Sequence, residues 1–256
     1  YKSYKSYKSY KSYKSYKSYK GDKLMNLAEH RNYKLFISGE LVDLCIPDLS
    51  AIELDGWGDW FNNIDTNQNT THGVYPNFYE NQVDYLKSLH KKDKIVLLVC
   101  RKEDRVAVGV VALQDIDMNA REALWAIMIG NTEKLSLPGL AALEATAMIS
   151  EHGFKELGLQ RIYGGQAYPG LKGWNKLLEL IGYQVDGIHR NGHNRGNKYT
   201  DSLYISCLYK DYLQIIESRK HLWPGSMEIK KLLRKQPKKS YAEKLEEITI
   251  KIKKHS

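Results

Sequence analysis

The chain has 256 residues, a formal net charge of +9, 27% charged and 42% hydrophobic side chains, and three cysteines. That length accommodates one large domain or two small ones. An odd, widely spaced set of cysteines excludes a disulfide scaffold, and no run approaches the roughly eighteen apolar residues of a membrane span.

The charge is unevenly placed. Seven lysines in the first twenty residues supply +7, and twelve Lys or Arg against four Glu in 219–256 supply +8, which leaves residues 21–218 at −6. A nucleic-acid enzyme more often carries its positive charge on the folded face that meets phosphate. Basic tails can still make non-specific anionic contacts, so a nucleic-acid-associated protein working through its tails stays open. Cys45, Cys100 and Cys207 each lie in apolar, strand-like runs and read as buried structural thiols. No apolar signal core is visible at the start, so the expected location is cytoplasmic.

In chain order, residues 1–20 are a Tyr-Lys-Ser triplet repeat with no aliphatic residue to bury, expected to be disordered. Leu24 to Leu35 is a weakly amphipathic lead-in. Leu41 to Ile46 alternates between Gly39 and Pro47 and reads as the first strand. Pro47 to Ser50 opens a helix, with Asp48 or Pro47 near its cap. An aromatic and polar stretch with Trp57, Trp60 and Phe61 follows, then a turn-rich loop from Thr70 to Pro76 and a helix from Phe78 to Leu89. Ile95 to Cys100 is a central strand, Asp104 marks a hairpin turn, and Val106 to Ile116 returns as a long strand.

Leu124 to Gly130 is apolar almost throughout, which suits a strand covered on both faces. A loop from Asn131 to Pro138 leads into a helix from Gly139 to about Leu157, stopped by Gly158. Leu159 to Tyr168 is the next strand, Lys172 to Ile181 a shorter helix, and Gly182 starts another strand. Such a helix start, aimed at the edge of a strand, presents free N–H groups and favours an anion. A hairpin around Gly196, a helix through Tyr212 and Ile216, and a turn at His221 to Ser226 close the body. The last thirty residues read as an added helix and strand docked on the body, because Trp223 and the branched residues are costly to expose.

The residues Glu144-Ala145, Phe154 through Ile162, Leu180 through Tyr183 and Gly196 through Leu208 carry a resemblance. This segment resembles the GNAT superfamily of N-acyltransferases, most closely the branch of ribosomal-protein alanine acetyltransferases and amino-sugar acetyltransferases. The resemblance covers Leu35 to Ser218. It implies an α/β (α+β) fold with a GNAT-like mixed central sheet flanked by helices and a splayed strand pair for acyl-CoA. The implied organisation is the repeat at 1–20, a GNAT-like domain at 21–218 and a basic C-terminal extension at 219–256.

The resemblance further implies acetyl-CoA as co-substrate. Its arm would lie against Met128 and Ile129, with a backbone N–H around Met128 as the donor to the thioester carbonyl. Its phosphates would meet Lys134, Gly139, Leu140, Ala141 and Ala142, and Trp174 would pack on the arm or adenine or in the core. The chain departs from the family pattern in two places. Matched without gaps, the arginine and first glycine of the phosphate loop fall on Leu137 and Leu140 and only the last place is kept, by Ala142; in the alternative match Leu137 and Gly139 take the two glycine places. The asparagine, small residue and tyrosine of the following helix fall on Leu171, Trp174 and Leu178, none suited to polar work.

Acyl transfer to an amine needs a base and an oxyanion donor. Glu122, on the same strand face as Leu124, is the expected base; Asp115 and Asp117 compete for that role or for gripping a substrate ammonium. His72 stands in the loop where such enzymes shape the acceptor pocket, although a lone histidine there is more often a surface residue. His189, Arg190 and Arg195 lie in a basic, amide-rich hairpin that would suit an acidic acceptor such as a nucleotide sugar. No metal site is expected, because the His189 and His193 spacing falls on a hairpin rather than a helix. The expected activity is transfer of an acetyl group to a primary amine of a small molecule, an amino sugar or a protein N-terminus. A catalytically inactive GNAT-like binding domain is the alternative. The sheet and the extension allow a homodimer without requiring one.

Overall fold

The computed structural model describes residues 33–67, 70, 74–168 and 171–255, and for 249–255 the backbone alone. Eight strands form one sheet: β1 (Leu35–Ser38), β2 (Val42–Cys45), β3 (Ile95–Arg101), β4 (Ala107–Asp117), β5 (Glu122–Ile129), β6 (Arg161–Tyr168), β7 (Gln184–Arg195) and β8 (Lys198–Leu208). Their spatial order is β1-β2-β3-β4-β5-β6-β8-β7. Neighbours are antiparallel except β5 and β6, which run parallel because a long crossover helix joins them. The helices are α1 (Leu49–Glu53), α2 (Trp57–Asn62), α3 (Ile64–Asn67), α4 (Tyr79–Ser88), α5 (Pro138–Lys155), α6 (Lys172–Glu179), α7 (Tyr209–Arg219), α8 (Ser226–Lys235) and α9 (Tyr241–His255). This is the mixed, helix-flanked sheet that the resemblance implies.

Strand alternation divides the core in two. Leu97, Val99, Val111, Leu113, Ala123 and Trp125 face α5 and join Leu143, Ala147 and Ile149. Val96, Leu98, Cys100, Val110, Ala112 and Met128 face the other way and meet Trp57 and Trp60 of α2. All three cysteines are buried free thiols. Asp48 caps α1 by accepting from the Ser50 N–H at 2.8 Å. Gly158, at φ +68°, turns the chain after α5.

Two elements differ from the sequence reading. Of the expected lead-in, residues 24–32 lie outside the described residues, and its last residue, Leu35, opens a strand through Ser38 paired with β2. It is an edge strand whose side chains are mostly exposed, so no alternation betrays it. The C-terminal extension forms two helices rather than a helix and a strand. Ala242, Leu245 and Glu246 share the covered side of α9, a helical spacing, while Ile248 is exposed. Ser240 and Glu243 form a capping box at its start: the Ser240 N–H donates to the Glu243 carboxylate at 2.9 Å and the Glu243 N–H to Ser240 Oγ at 3.2 Å.

One carboxylate ties these parts together. Glu144, in the apolar middle of α5, is fully buried. It accepts from the backbone N–H groups of Glu40, of Leu41 at 2.7 Å and of Val42 at 3.1 Å. Glu40 and Leu41 lie in the β1–β2 turn, and Val42 is the first residue of β2. Burial pushes the Glu144 carboxyl up, against the three N–H donors that favour its charged form. The Glu40 side chain then reaches the extension, accepting from Ser226 N at 2.8 Å, Ser226 Oγ at 2.6 Å and Trp223 Nε1 at 3.0 Å. It thereby caps α8, whose own cap residue, Gly225, has no side chain to offer. Leu222, Ile229 and Ala242 of the extension enter the main core.

Replacing Glu144 by Leu should lower the unfolding free energy by about 3 kcal/mol, because three buried N–H donors lose their acceptor together. Denaturant melts check this; a loss under about 1 kcal/mol would mean that the turn does not depend on the carboxylate. A second expectation concerns pH. Burial raises the Glu40 carboxyl, but bonds from Ser226 and Trp223 outweigh it and leave the group below the usual carboxylate range. Its contribution is therefore complete above the unfolded pKa and is lost as the pH falls through the depressed folded one. Amide exchange of α8 should accelerate over that acid window, and Glu40→Gln should remove the pH dependence.

Candidate active site

The one parallel pair opens like a fork. β5 and β6 are in register at Glu122↔Arg161, Ala123↔Ile162 and Leu124↔Tyr163 and nowhere beyond. Past Leu124, β5 continues on β4 as far as Ile129↔Gly109, and β6 continues on β8 as far as Tyr168↔Asp201. The facing edges thus separate and leave backbone groups without a strand partner. The residue pair at the separation is Trp125 and Gly164. The indole leans over the glycine: a Cβ built there would lie 2.9 Å from Trp125 Cε3 and 3.2 Å from the Trp125 carbonyl oxygen. Trp125 in turn stacks on Trp174 of α6, centroids 6.2 Å apart, and packs at a tilt against Tyr183 at 5.4 Å. A bulky residue opposite a glycine explains why the ladder stops there.

The two expected cofactor-strand residues divide between faces. Met128 is buried against the α2 side and pairs with Val110, whereas the half-buried Ile129 packs on the α5 side. Gly130 ends the strand against Trp60; a Cβ built on it would fall inside the indole. The loop that follows holds a short 3-10 turn at Thr132–Lys134, with the Lys134 side chain exposed and its carbonyl accepting from Arg101 at 3.3 Å.

Helix α5 begins with Pro138 at its first position, and no side chain caps it. Leu140, Ala141 and Ala142 are buried and anchor the first turn in the core, while Gly139 is exposed. What this end offers an anion is therefore backbone N–H rather than side chain. Leu177 of α6 lies beside Gly139, within 3.6 Å of a Cβ built there, so the fork, the α5 start and α6 border one region.

On the opposite sheet face, Glu122, Arg161, Tyr163, Asp186 and Tyr204 gather around the closed end of the fork. Arg161 bonds Asp186 at 3.0 Å and Glu122 at 3.4 Å and lies over the Tyr163 ring at 4.8 Å. Ser206 Oγ donates to Asp186 at 2.8 Å. Burial, then the charges of Glu122 and Asp115, pushes the Tyr163 phenol up. Asp115 is exposed on a β-bulge with φ +48°. Asp117 caps the β4–β5 turn instead, accepting from Asn119 N at 2.7 Å and Ala120 N at 3.0 Å. A cavity of about 360 Å³ lies nearby at this closed end, lined by Gln184, Asp186, Ser206, Lys210, Asp211 and Gln214.

The remaining expected residues scatter. His189 packs edge-on against Tyr204 at 5.8 Å. Arg190 is exposed. Arg195 is taken up by Asn67, whose carbonyl and Oδ1 accept at 2.8 and 2.7 Å, and by the Thr70 carbonyl. His72 lies outside the described residues. Among the described residues no cluster of metal-ligating side chains occurs, and no helix is long and apolar enough to cross a membrane. Sequence reasoning passes over Arg161, Tyr163, Asp186, Gln166 and Asn175. The spacing of Asn175 and Leu178 on one helix face is the signal that could have singled out the last.

No family model and no curated protein matches the sequence. Solved structures do match. A spermidine N-acetyltransferase from Vibrio cholerae, determined in complex with CoA and spermine, aligns with TM-score 0.58 and 17% identity, covering 68% of this chain and 99% of that one. A GNAT-family acetyltransferase from Bacillus anthracis aligns with TM-score 0.56 and 18% identity, covering 69% and 99%. At such identities the likeness is one of fold. The mixed, helix-flanked sheet with one splayed parallel pair is consistent with the GNAT-like architecture of those structures. These neighbours do not single out the alanine and amino-sugar branch that the sequence suggests.

Replacing Gly130 by Ala should displace Trp60 and lower stability by about 1–3 kcal/mol. The double variant with Trp60→Leu should recover most of that loss in thermal melts. Equal destabilisation of both variants would mean that the close approach of ring and strand is not the constraint.

Proposed function

We propose that the protein is an acetyl-CoA-dependent N-acyltransferase acting on a primary amine. The observation that carries this reading is the fork: β5 leaves β6 after Leu124, and an uncapped helix start follows the far end of β5. An extended, amide-bearing thioester ending in phosphates fits such a layout, with backbone groups along Met128 and Ile129 for its chain and the N–H groups of Gly139 and Leu140 for its anionic end. Lys134 adds an exposed cation in the loop before that end. Acetyl-CoA supplies the activated acyl group; the chain supplies orientation and proton handling.

On the acceptor side, Glu122 is the proposed base. Its carboxyl oxygen lies 3.4 Å from Arg161 at the closed end of the fork, about 20 Å along β5 from Met128, so it receives the proton of the incoming ammonium through a chain of waters before the neutral amine attacks. A backbone N–H near Met128 is the proposed donor to the carbonyl oxygen as charge develops. Asp115, Glu122 and Asp186 outnumber Arg161 on this face, which favours a cationic amine as acceptor. The fold likeness to a polyamine acetyltransferase supports the same class. The amino-sugar reading relied on His189, Arg190 and Arg195, and the engagement of Arg195 by Asn67 and Thr70 weakens it.

The inactive alternative draws on Leu171, Trp174 and Leu178, which place no hydroxyl where the family has its tyrosine. Calorimetric titration with acetyl-CoA, followed by thiol release in the presence of polyamines, amino sugars and peptides, separates the two. The expected result is saturable one-site binding and turnover with a polyamine, with Glu122→Gln reducing kcat by about 100-fold or more. A folded protein that binds no CoA overturns the enzyme reading.

A further inference from the structure

The fork contains two buried donors with nothing to bond. Asn175 of α6 is 3% exposed and Trp125 of β5 is 8% exposed. No side-chain or backbone acceptor among the described residues reaches Asn175 Nδ2 or Trp125 Nε1. Gln166 Nε2 donates to Asn175 Oδ1, which leaves Asn175 Nδ2 as the donor still to be satisfied. Gln166 belongs to the stretch of β6 that has already left β5, three residues past the last shared rung at Tyr163. Trp174, the neighbour of Asn175, stacks on Trp125. The two orphan donors therefore belong to β5, one arm of the fork, and to α6, which is bonded to the other arm through Gln166.

A buried N–H without an acceptor is unfavourable and rare in folded proteins. Two of them in one gap, one oriented by a dedicated partner, call for a ligand that brings acceptors. We propose that the Gln166–Asn175 amide pair is a positioning element of the donor site, in which Asn175 Nδ2 donates to an oxygen of the amide chain of acyl-CoA. It supplies a fixed polar contact on the α6 side, where the sequence has leucine and tryptophan in place of the family's polar residues. Gln166 acts through Asn175 by holding its orientation. This inference rests on the acyl-CoA reading above and assigns a residue that the family pattern does not.

The test uses the full chain and the double variant Gln166→Leu/Asn175→Leu, which replaces both amides with apolar groups of similar size. Removing both partners together leaves no orphan behind, so folding stability should be unchanged or higher. CoA affinity, read by calorimetry, should fall by at least ten-fold. Asn175→Asp, which turns the donor into an acceptor, should weaken CoA binding at neutral pH by at least as much. A structural amide pair gives the reverse pattern: lower melting temperature and unchanged CoA affinity, which would overturn the proposal. If the wild-type chain itself binds no CoA, the acyl-CoA reading fails and this assignment falls with it. If wild type binds and both variants bind equally well, the assignment alone is wrong.

Discussion

The buried Glu144 carboxylate is the interaction on which the arrangement of parts depends. It places one acid in the apolar heart of α5 and satisfies it with three consecutive backbone donors, two from the β1–β2 turn and one from the start of β2. Such a charge is tolerable only with that full set of partners. The turn is thereby held to the helix that begins beside the fork. Through the Glu40 side chain the same turn caps α8 and seats the C-terminal extension. The extension, in its turn, braces one arm of the fork. Tyr168, the last residue of β6, donates to Glu246 of α9 at 2.7 Å, and the Tyr241 N–H donates to Glu179 of α6 at 2.8 Å.

The fork is a packing result before it is a binding feature. A parallel ladder continues when neighbouring residues tolerate strand spacing. Here an indole on β5 meets a glycine on β6, and the ring leans over the place where a side chain would stand. From that rung the two strands follow their other neighbours, β4 and β8. Chemistry and architecture therefore share residues. Trp125 stacks with Trp174 and packs at a tilt on Tyr183, bridging sheet and α6 with the same side chain whose N–H is buried without an acceptor among the described residues.

Much of the architecture was legible because it rests on local signals. Ile95 to Cys100 and the Val106 strand are apolar runs of the right length, Gly158 punctuates α5, and Asp48 caps α1. Edge strand β1 was not legible, since exposure removes alternation. α9 departs from the expected helix and strand, although the Ser240 and Glu243 capping box is present in the text. The site was less legible than the fold. Glu122 could be proposed from strand parity, but its pairing with Arg161 depends on a register between strands nearly forty residues apart. Asn175 looked like one more polar residue on a short helix; only the packing reveals that it faces inward. Glu144 carried a signal, a single acid amid apolar neighbours, yet nothing nearby in sequence names its partners.

The Glu40 turn has one more consequence, which concerns the order in which the chain can consolidate. Its backbone is fastened by a residue 104 positions later, and its side chain by one 186 positions later. During synthesis the first hairpin therefore emerges long before either fastening exists. Contacts this distant in sequence slow folding, because loop closure must precede any gain from them. The N-terminal edge of the sheet can only be locked once α8 has left the ribosome, so a nascent chain shortened before Ser226 would hold its opening strands in a looser state than the finished protein does.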